Sequence, residues 1–435
     1  MDKRLRFLTG AWLLAHSVVG QVPAPAPPGP VLTLAQCYEL ALAHAPQRRQ
    51  QALNEAQAAN NQSRLGTLLH RPQLAVNGQA SYQSEVTRIP IEAPNISIPT
   101  LAKDQYRLTL DAAQTLYDGG TTRRQQELEE LNSQVGNQQV EVSLYRLREQ
   151  VNGLFFSALL ADENARLRQS LRTDLVQRRK SLVARRANGV ATGQDVARLD
   201  AEVLGLDQQL RDLASSRAGL LAQLGELLGQ PLAPETRLAV PTAPPDAAAR
   251  PEYALYDQQR ALLARQQELN EARLAPRLSL YGQVGYGRPT LDFLRNDFHG
   301  YGLAGVRLNW NLDRYYTRRQ DREATRLNTE AVAVQQAVFA QQQRVALAGQ
   351  QSAIGRYQAL LDADQQLIGL REKIQATAAV QLDNGIIGFS DYFTEANHLT
   401  QARLSEQLHR LQLLQAQTDE LTTRGATAPP SSPTR

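Results

Sequence analysis

One cysteine, one methionine and two tryptophans in 435 residues leave little of the material that disulfide scaffolds and wide aromatic cores are built from. Cys37 has no partner for an internal disulfide and lies in an amphipathic stretch, where core packing is its expected role. Aromatics are only 6% of the chain and mean hydropathy is −0.42, so the apolar material suits long helices meeting along narrow seams. No charge of one sign dominates. The formal net charge is +4, and no basic block with interleaved aromatics points to nucleic acid. Also missing are a Gly-rich phosphate loop, a Cys/His cluster and a nucleophile motif, so neither an enzyme nor a cofactor is expected. The pairs Glu395…His398 and Glu406…His409 have Glu-x-x-His spacing, but on one helix they stand roughly 16 Å apart, too far to share a metal.

Long apolar runs are missing too, apart from one near the N-terminus. There Asp2-Lys3-Arg4-Leu5-Arg6 precedes an apolar stretch, Phe7 to Val19, and small residues end it at Gly20. This has the layout of an export signal, residues 1–20, and is short for a spanning helix of about 20 apolar residues. A Pro/Ala linker, 21–30, follows. An exported chain with no later spanning helix is periplasmic, secreted, or embedded as a β-barrel.

What the sequence does have is a duplication, its two copies about 195 residues apart. Each copy runs as a polar helix, a proline, two alternating strands, and a very long polar helix broken at Asn-Gly. Pro72 and Pro276 correspond, as do Asn188-Gly189 and Asn384-Gly385. Thr122-Arg123-Arg124-Gln125 recurs as Thr317-Arg318-Arg319-Gln320. The repeats are assigned to 31–229 and 252–424, joined by a proline-rich connection, 230–251. A tail over 425–435 is expected to be disordered.

The predicted strands are Gln73–Tyr82, Tyr106–Leu116, Arg277–Tyr286 and Tyr301–Leu312. Leu74, Val76, Gly78, Ala80 and Tyr82 alternate with polar neighbours, and the other three runs behave alike. Each run has the length of a tilted outer-membrane strand, roughly 10 residues. Tyr82, Tyr106, Tyr117, Tyr286, Tyr301 and Trp310 fall near strand ends, where an aromatic girdle would sit. A soluble hairpin packed on one face would show the same alternation. Four strands cannot close a barrel around a channel, since the smallest membrane barrels have about eight, and lipid tolerates no open edge. In a membrane, several copies must therefore share one barrel; three would supply twelve strands.

The proline-free stretch from about Gly120 to Ala187 predicts a helix roughly 100 Å long, and Thr317 to Asp383 a second of similar length. Two offset stripes run along the first. Leu128, Leu131, Val135, Val142 and Tyr145 form one, and Val140, Leu144, Leu147, Val151, Leu154 and Ala158 the other. Two seams suit a helix with a neighbour on each side. Shorter helices are predicted over Thr33–His70, Gln194–Leu228, Tyr253–Ala275 and Tyr392–Thr423. Asn-Gly is a turn signal, so each long helix should stop there and return antiparallel, placing both tips far from the strands.

At this point the chain resembles the TolC family of outer-membrane efflux proteins. The residues that carry the resemblance are Leu32-Thr33-Leu34-Ala35-Gln36-Cys37-Tyr38-Glu39-Leu40-Ala41-Leu42 with Ala45-Pro46, then Leu116-Tyr117-Asp118-Gly119-Gly120, Arg250-Pro251-Glu252, and Ala275-Pro276-Arg277-Leu278-Ser279-Leu280. Trp310-Asn311-Leu312-Asp313, the second strand-to-helix junction, is one residue shorter and lacks the glycines. The resemblance implies a mostly α fold with a small β part. Duplicated long-helix hairpins would form an α-helical barrel, and four strands per protomer would build a twelve-stranded trimeric outer-membrane β-barrel. It further implies a passive duct in the outer membrane of a Gram-negative bacterium that extends into the periplasm and docks on a periplasmic adaptor and an inner-membrane pump. The competing reading is a soluble exported coiled-coil scaffold.

The resemblance also nominates residues. An aspartate follows each tip glycine by six positions, at Asp195 and Asp391. In the family the second of these joins an acidic ring at the periplasmic constriction. Thr394 stands where a further acid is common, with Glu395 beside it. As a local feature, each aspartate falls in the first turn of a helix with Thr192 or Ser390 as N-cap, where an acid favours the helix dipole. For Asp195 that account is preferred; for Asp391 the pore role is. The tips, with Arg185, Asn188, Gly189 and Val190 in one and Asn384, Gly385 and Ile386 in the other, are the expected adaptor-docking surface.

Overall fold

A computed structural model of the chain describes residues 31–87, 100–188, 191–241, 250–292 and 295–425. The export signal, the linker, the tail beyond Gly425 and the tip residues Gly189 and Val190 lie outside the described residues.

Among the described residues, seven helices and six strands follow in the order β1 (Val31–Leu32), α1 (Leu34–His44), α2 (Gln47–His70), β2 (Gln73–Tyr82), β3 (Asp104–Tyr117), α3 (Thr121–Ala187), α4 (Gly193–Leu228), β4 (Arg237–Leu238), α5 (Pro251–Ala272), β5 (Arg277–Arg288), β6 (His299–Asn309), α6 (Arg314–Asp383) and α7 (Phe389–Arg424). The helix expected over 33–70 is two helices. Pro46 disfavours helical backbone at the residue before it, and Ala45 is extended at φ −53°, ψ 116°. Thr33 and Gln36 close a reciprocal capping box at the start of α1.

The long helices, 67 and 70 residues, run from the sheet to the hairpin tips. Beside α3 lie α2 and α4, and between α3 and α6 lie α5 and α7. The two apolar stripes of α3 are both used. Leu128, Val142 and Tyr145 are buried from one, and Val140, Leu144, Val151 and Ala158 from the other. α6 differs: it packs on α5 and α7, while Leu327, Val334, Val338, Val345, Leu367 and Ile374 stay exposed.

The short helices meet at the waist over a buried core of Leu34, Cys37, Tyr38, Ala41, Val151, Phe155, Phe156, Leu221 and Leu224. Burial pushes the Cys37 thiol up to about 11, consistent with a packing role. Asn152 ties the level together. It accepts from the Tyr38 hydroxyl and donates to Thr422 Oγ1 at 3.2 Å. Arg250, beside the start of α5, donates to the Thr422 carbonyl near the end of α7 at 3.2 Å and to Glu252 at 2.7 Å. Desolvation holds the half-buried Asp419 carboxyl above its usual range.

The four long strands form one antiparallel sheet in the order β2-β3-β5-β6, so the two halves join through β3 and β5. β6 begins at His299 and ends at Asn309, earlier than the expected Leu312; Trp310 and Leu312 lie in the turn into α6.

Candidate functional site

The sheet register sorts the side chains into two faces. Leu74 sits opposite Ala112, Val76 opposite Leu110, Leu110 opposite Val284, Leu280 opposite Val306, and Leu278 opposite Leu308. Among the described residues nothing covers this apolar face; Leu74, Val76, Val306 and Leu308 are each more than 60% exposed. The other face is polar and internally bonded. Asp111 accepts from Asn77 at 2.5 Å, from Thr109 at 3.2 Å and from Gln283 at 2.5 Å. Side chains alternate in this way because neighbouring strand residues point to opposite faces.

Five of the six nominated aromatics belong to the apolar side. Tyr82, Tyr106 and Tyr286 gather at the loop end, where Phe298 lies 6.1 Å from Tyr106 and 6.0 Å from Tyr286, ring to ring. Tyr117 and Trp310 lie at the helix end. A bulge between Thr115 and Tyr117 brings Tyr117 level with Leu278 on the apolar face. The Trp310 indole donates to the Leu274 carbonyl at 3.0 Å, and its ring meets Tyr315 edge-on. Tyr301 is the exception. It pairs with Gly285 on the polar face and donates to Gln283 at 3.2 Å. Its place at a strand end suggested a girdle, but its odd position in the alternation decides the face. Sequence reasoning passed over Phe298 and Tyr315 because both lie outside the alternating runs.

At the first strand-to-helix junction Asp118 caps α3. Its carboxylate accepts from Gly120 N at 2.9 Å and Thr122 N at 2.7 Å. Burial opposes the charge, but these bonds and the nearby Arg277 hold the carboxyl below its usual range. Gly119 and Gly120 take φ of +71° and +76°, and a Cβ on Gly119 would stand 2.5 Å from Ala275 Cβ.

At the far end the two hairpins pack against each other over Leu175, Leu182, Leu199, Leu382, Phe389 and Tyr392. Tyr392 is fully buried, with the Arg178 guanidinium 3.8 Å from its ring centre. The second tip is a Schellman turn. Ile386 N donates to Gln381 O at 2.8 Å and Gly385 N to Leu382 O at 3.1 Å, with Gly385 at φ +72°. Asn384 caps α6 and its side chain donates to Val380 O at 3.0 Å; Ile386 projects, 70% exposed. Asn188 caps α3 through bonds to Ala184 O and Arg185 O. Arg185 crosses between the hairpins and donates to the carbonyls of Leu382 and Asp383 at 2.7 and 2.9 Å. It therefore binds the tips together rather than lying free on their surface.

Both nominated aspartates are third in their helices. Asp195 closes a capping box: Thr192 N donates to it at 3.0 Å, and Asp195 N donates to Thr192 Oγ1 at 3.2 Å. These bonds hold its carboxyl below the usual range. Asp391 accepts from Gly388 N at 3.2 Å. α7 starts at Phe389, so Gly388, not the expected Ser390, is its N-cap. Asp391 also borders a groove of about 500 Å³ with Lys373, Thr377, Gln381, Thr394 and Glu395. The two Glu-x-x-His pairs are separately engaged: Arg371 donates to Glu395 at 3.1 Å, Arg410 to Glu406 at 2.8 Å, and His409 to Asp364 at 2.6 Å. Among the described residues no three His, Cys, Asp or Glu side chains gather to hold a metal, and no helix is long and apolar enough to cross a membrane.

No protein-family model and no curated protein matches the sequence. Solved structures do. CusC, a protein described with transmembrane channel formation, superposes with a TM-score of 0.66 at 13% identity over 93% of this chain and 99% of its own. The outer membrane protein VceC of Vibrio cholerae gives 0.62 at 16% identity over 89% and 96%. The open-state MtrE outer membrane channel of Neisseria gonorrhoeae gives 0.61 at 18% over 89% and 88%. Over nearly its whole described length, the chain therefore has the fold of these outer-membrane channel proteins, the fold that its resemblance to the TolC family implies.

Proposed function

We propose that this chain is a protomer of a trimeric duct in the outer membrane, through which cargo passes passively from a periplasmic adaptor and an inner-membrane pump to the exterior. The observation that carries the reading is the sheet: an uncovered apolar face, a hydrogen-bonded polar face and two unpaired edges, continuing directly into helices of 67 and 70 residues. The ten ladder steps from Tyr106 to Tyr117 along β5 span roughly 34 Å at about 3.4 Å each. A tilt of about 40° lowers that to roughly 26 Å, close to the apolar band of about 25 Å in outer-membrane barrels. The aromatic clusters at the two ends then mark the two interfaces. Strand edges left open in lipid carry unsatisfied backbone groups, so β2 and β6 pair with neighbouring copies. The exposed stripe of α6 faces a neighbour in the same assembly, and the helices continue the lumen into the periplasm.

In this reading Asp391 contributes to a charged constriction with Thr394 beside it, and the tips with Asn188, Gly189, Val190, Gly385 and Ile386 meet the adaptor. Asp195 serves its helix. The duct itself performs no chemistry. The repeats span 31–229 and 252–424, with 230–251 as the connection at the waist.

The test is the mass of the detergent-solubilised mature protein after outer and inner membranes are separated, followed by conductance in a planar bilayer. A trimer from the outer membrane that conducts is expected. A monomer or dimer soluble without detergent would overturn the duct and leave the exported scaffold.

A further inference from the structure

The strand-to-helix junction holds a cavity of about 380 Å³ lined by Arg273, Arg277 and Arg314, with Asn309, Asn311, Gln125 and Thr121 among its other walls. Among the described residues no acidic side chain lines it. Arg277 shares its charge with Asp118, whereas Arg273 and Arg314 make no ion pair and no side-chain hydrogen bond among the described residues. Unpaired arginines beside one cavity repel one another, which a passing anion would relieve. Arg314 opens α6, whose N-cap residue Asp313 makes no side-chain capping bond, so the cavity's positive charge comes from the guanidinium groups themselves.

The register fixes which way the cavity looks. Arg277 pairs with Asn309 on the polar face, the face of Asp111 and Gln283. Further up that face stand Arg307, over the Tyr281 ring at 4.6 Å, and Arg107. The only acid among its ladder residues is Asp111, already occupied by three donors. The polar face is therefore net positive, and the surplus begins where the helices hand over to the strands.

We infer that this arginine-lined cavity is a binding site for oxyanion groups, phosphate, phosphonate or sulfate, carried by the cargo at the entrance to the strand barrel. Guanidinium groups match such oxygens in geometry and stay charged at every working pH. Facing a lumen and repeated by symmetry, they would form a basic ring that favours anions. The inference rests on the duct reading, since it is the lumen that brings cargo to the polar face.

The experiment adds inorganic tripolyphosphate to the helix side of channels in a planar bilayer and compares the natural protein with the Arg273→Gln/Arg314→Gln variant. Glutamine keeps donors and much of the volume while removing the charge. Concentration-dependent block that weakens about tenfold or more in the variant is expected. Absent block, or equal block in both, would overturn the site while open-channel current leaves the duct reading intact. If neither protein conducts, the duct reading fails by itself, and calorimetric titration of tripolyphosphate into the detergent-purified proteins decides the site: a difference between them supports it and none overturns it. Native mass spectrometry separates a second source of the same chemistry. Phospholipid retained by the natural protein and lost from the variant would assign the arginines to a membrane headgroup and overturn a cargo site.

Discussion

Arg185 offers the sharpest test of how the hairpin tips hold together. Its guanidinium donates to two backbone carbonyls in the last turn of α6, at 2.7 and 2.9 Å, and lies 3.8 Å from the carboxylate of Asp383. These interactions differ in worth. The carbonyls belong to a helix C-terminus, where they have no partner in the helix and where the dipole favours a cation. The Arg185 side chain is 27% exposed. A hydrogen bond to a charged group is worth about 1.5–3 kcal/mol, and partial exposure brings the pair down to about 1–2 kcal/mol in total. The Asp383 carboxylate is 73% exposed and distant, a surface ion pair worth roughly 0–0.5 kcal/mol. Arg185→Ala should therefore make opening of the tip about five- to thirty-fold more frequent, whereas Asp383→Asn should leave it nearly unchanged. Hydrogen exchange of the Gly385 and Ile386 amides, both bonded within the turn, reads this directly. If Asp383→Asn accelerates exchange as much as Arg185→Ala, the ion pair is the real tie and the carbonyl argument fails. No acceleration in either variant would mean that Tyr392 and its buried neighbours hold the tips unaided.

Other outcomes follow from the same geometry. Gly119→Ala should destabilise by about 2–4 kcal/mol, from a left-handed backbone and a collision with Ala275. Gly120→Ala, which meets only the far end of Arg124, should cost about 1–2 kcal/mol; equal shifts in denaturant midpoint would contradict this ordering. The Asp195 carboxyl has a folded-state value below its unfolded one, so its contribution is complete above about pH 4 and is lost as pH falls through the lowered value. Amide protection at the start of α4 should follow that course, and Thr192→Ala should move the loss up to the ordinary carboxylate range; a pH-independent profile would show the cap to be idle. Asp391→Asn should weaken cation block of the conducting channel, and unchanged block would remove Asp391 from the constriction. Gly385→Leu should abolish export while the trimer and its membrane insertion survive, since a Cβ there meets no atom within 4 Å and the added bulk projects outward. Loss of the trimer would make the turn structural instead.

Much of the fold was legible because its periods are long and its breakers few. The alternation in β2, β3 and β5 gave the faces directly, and the absence of proline from 121 to 187 gave a helix end to end. Asn384-Gly385 announced the turn because glycine meets the positive φ it demands. The misses came where one residue carried the decision. Ala45 turned extended before Pro46 and split a helix. The cap of α7, Gly388, fell two residues ahead of the expected Ser390. Tyr301 fell on the polar face through its parity, not its position along the strand.

The candidate residues divide along the same line. Tyr106, Tyr286, Tyr117 and Trp310 could be named from their places at strand ends, and Asp195 and Asp391 from their distance to a turn. No period links Arg185 to Leu382 and Asp383, nearly two hundred positions on, or gathers Arg273, Arg277, Arg314 and Asn309 around one cavity. The sequence by itself determined the local shapes and the amphipathic faces, since these depend on neighbours a few residues away, and it showed the duplication by direct comparison of its halves. Only the tertiary structure decided which elements of the two repeats lie side by side. Pairing β3 with β5 and docking one hairpin tip on the other are long-range choices, set by packing and by which backbone groups still lack a partner.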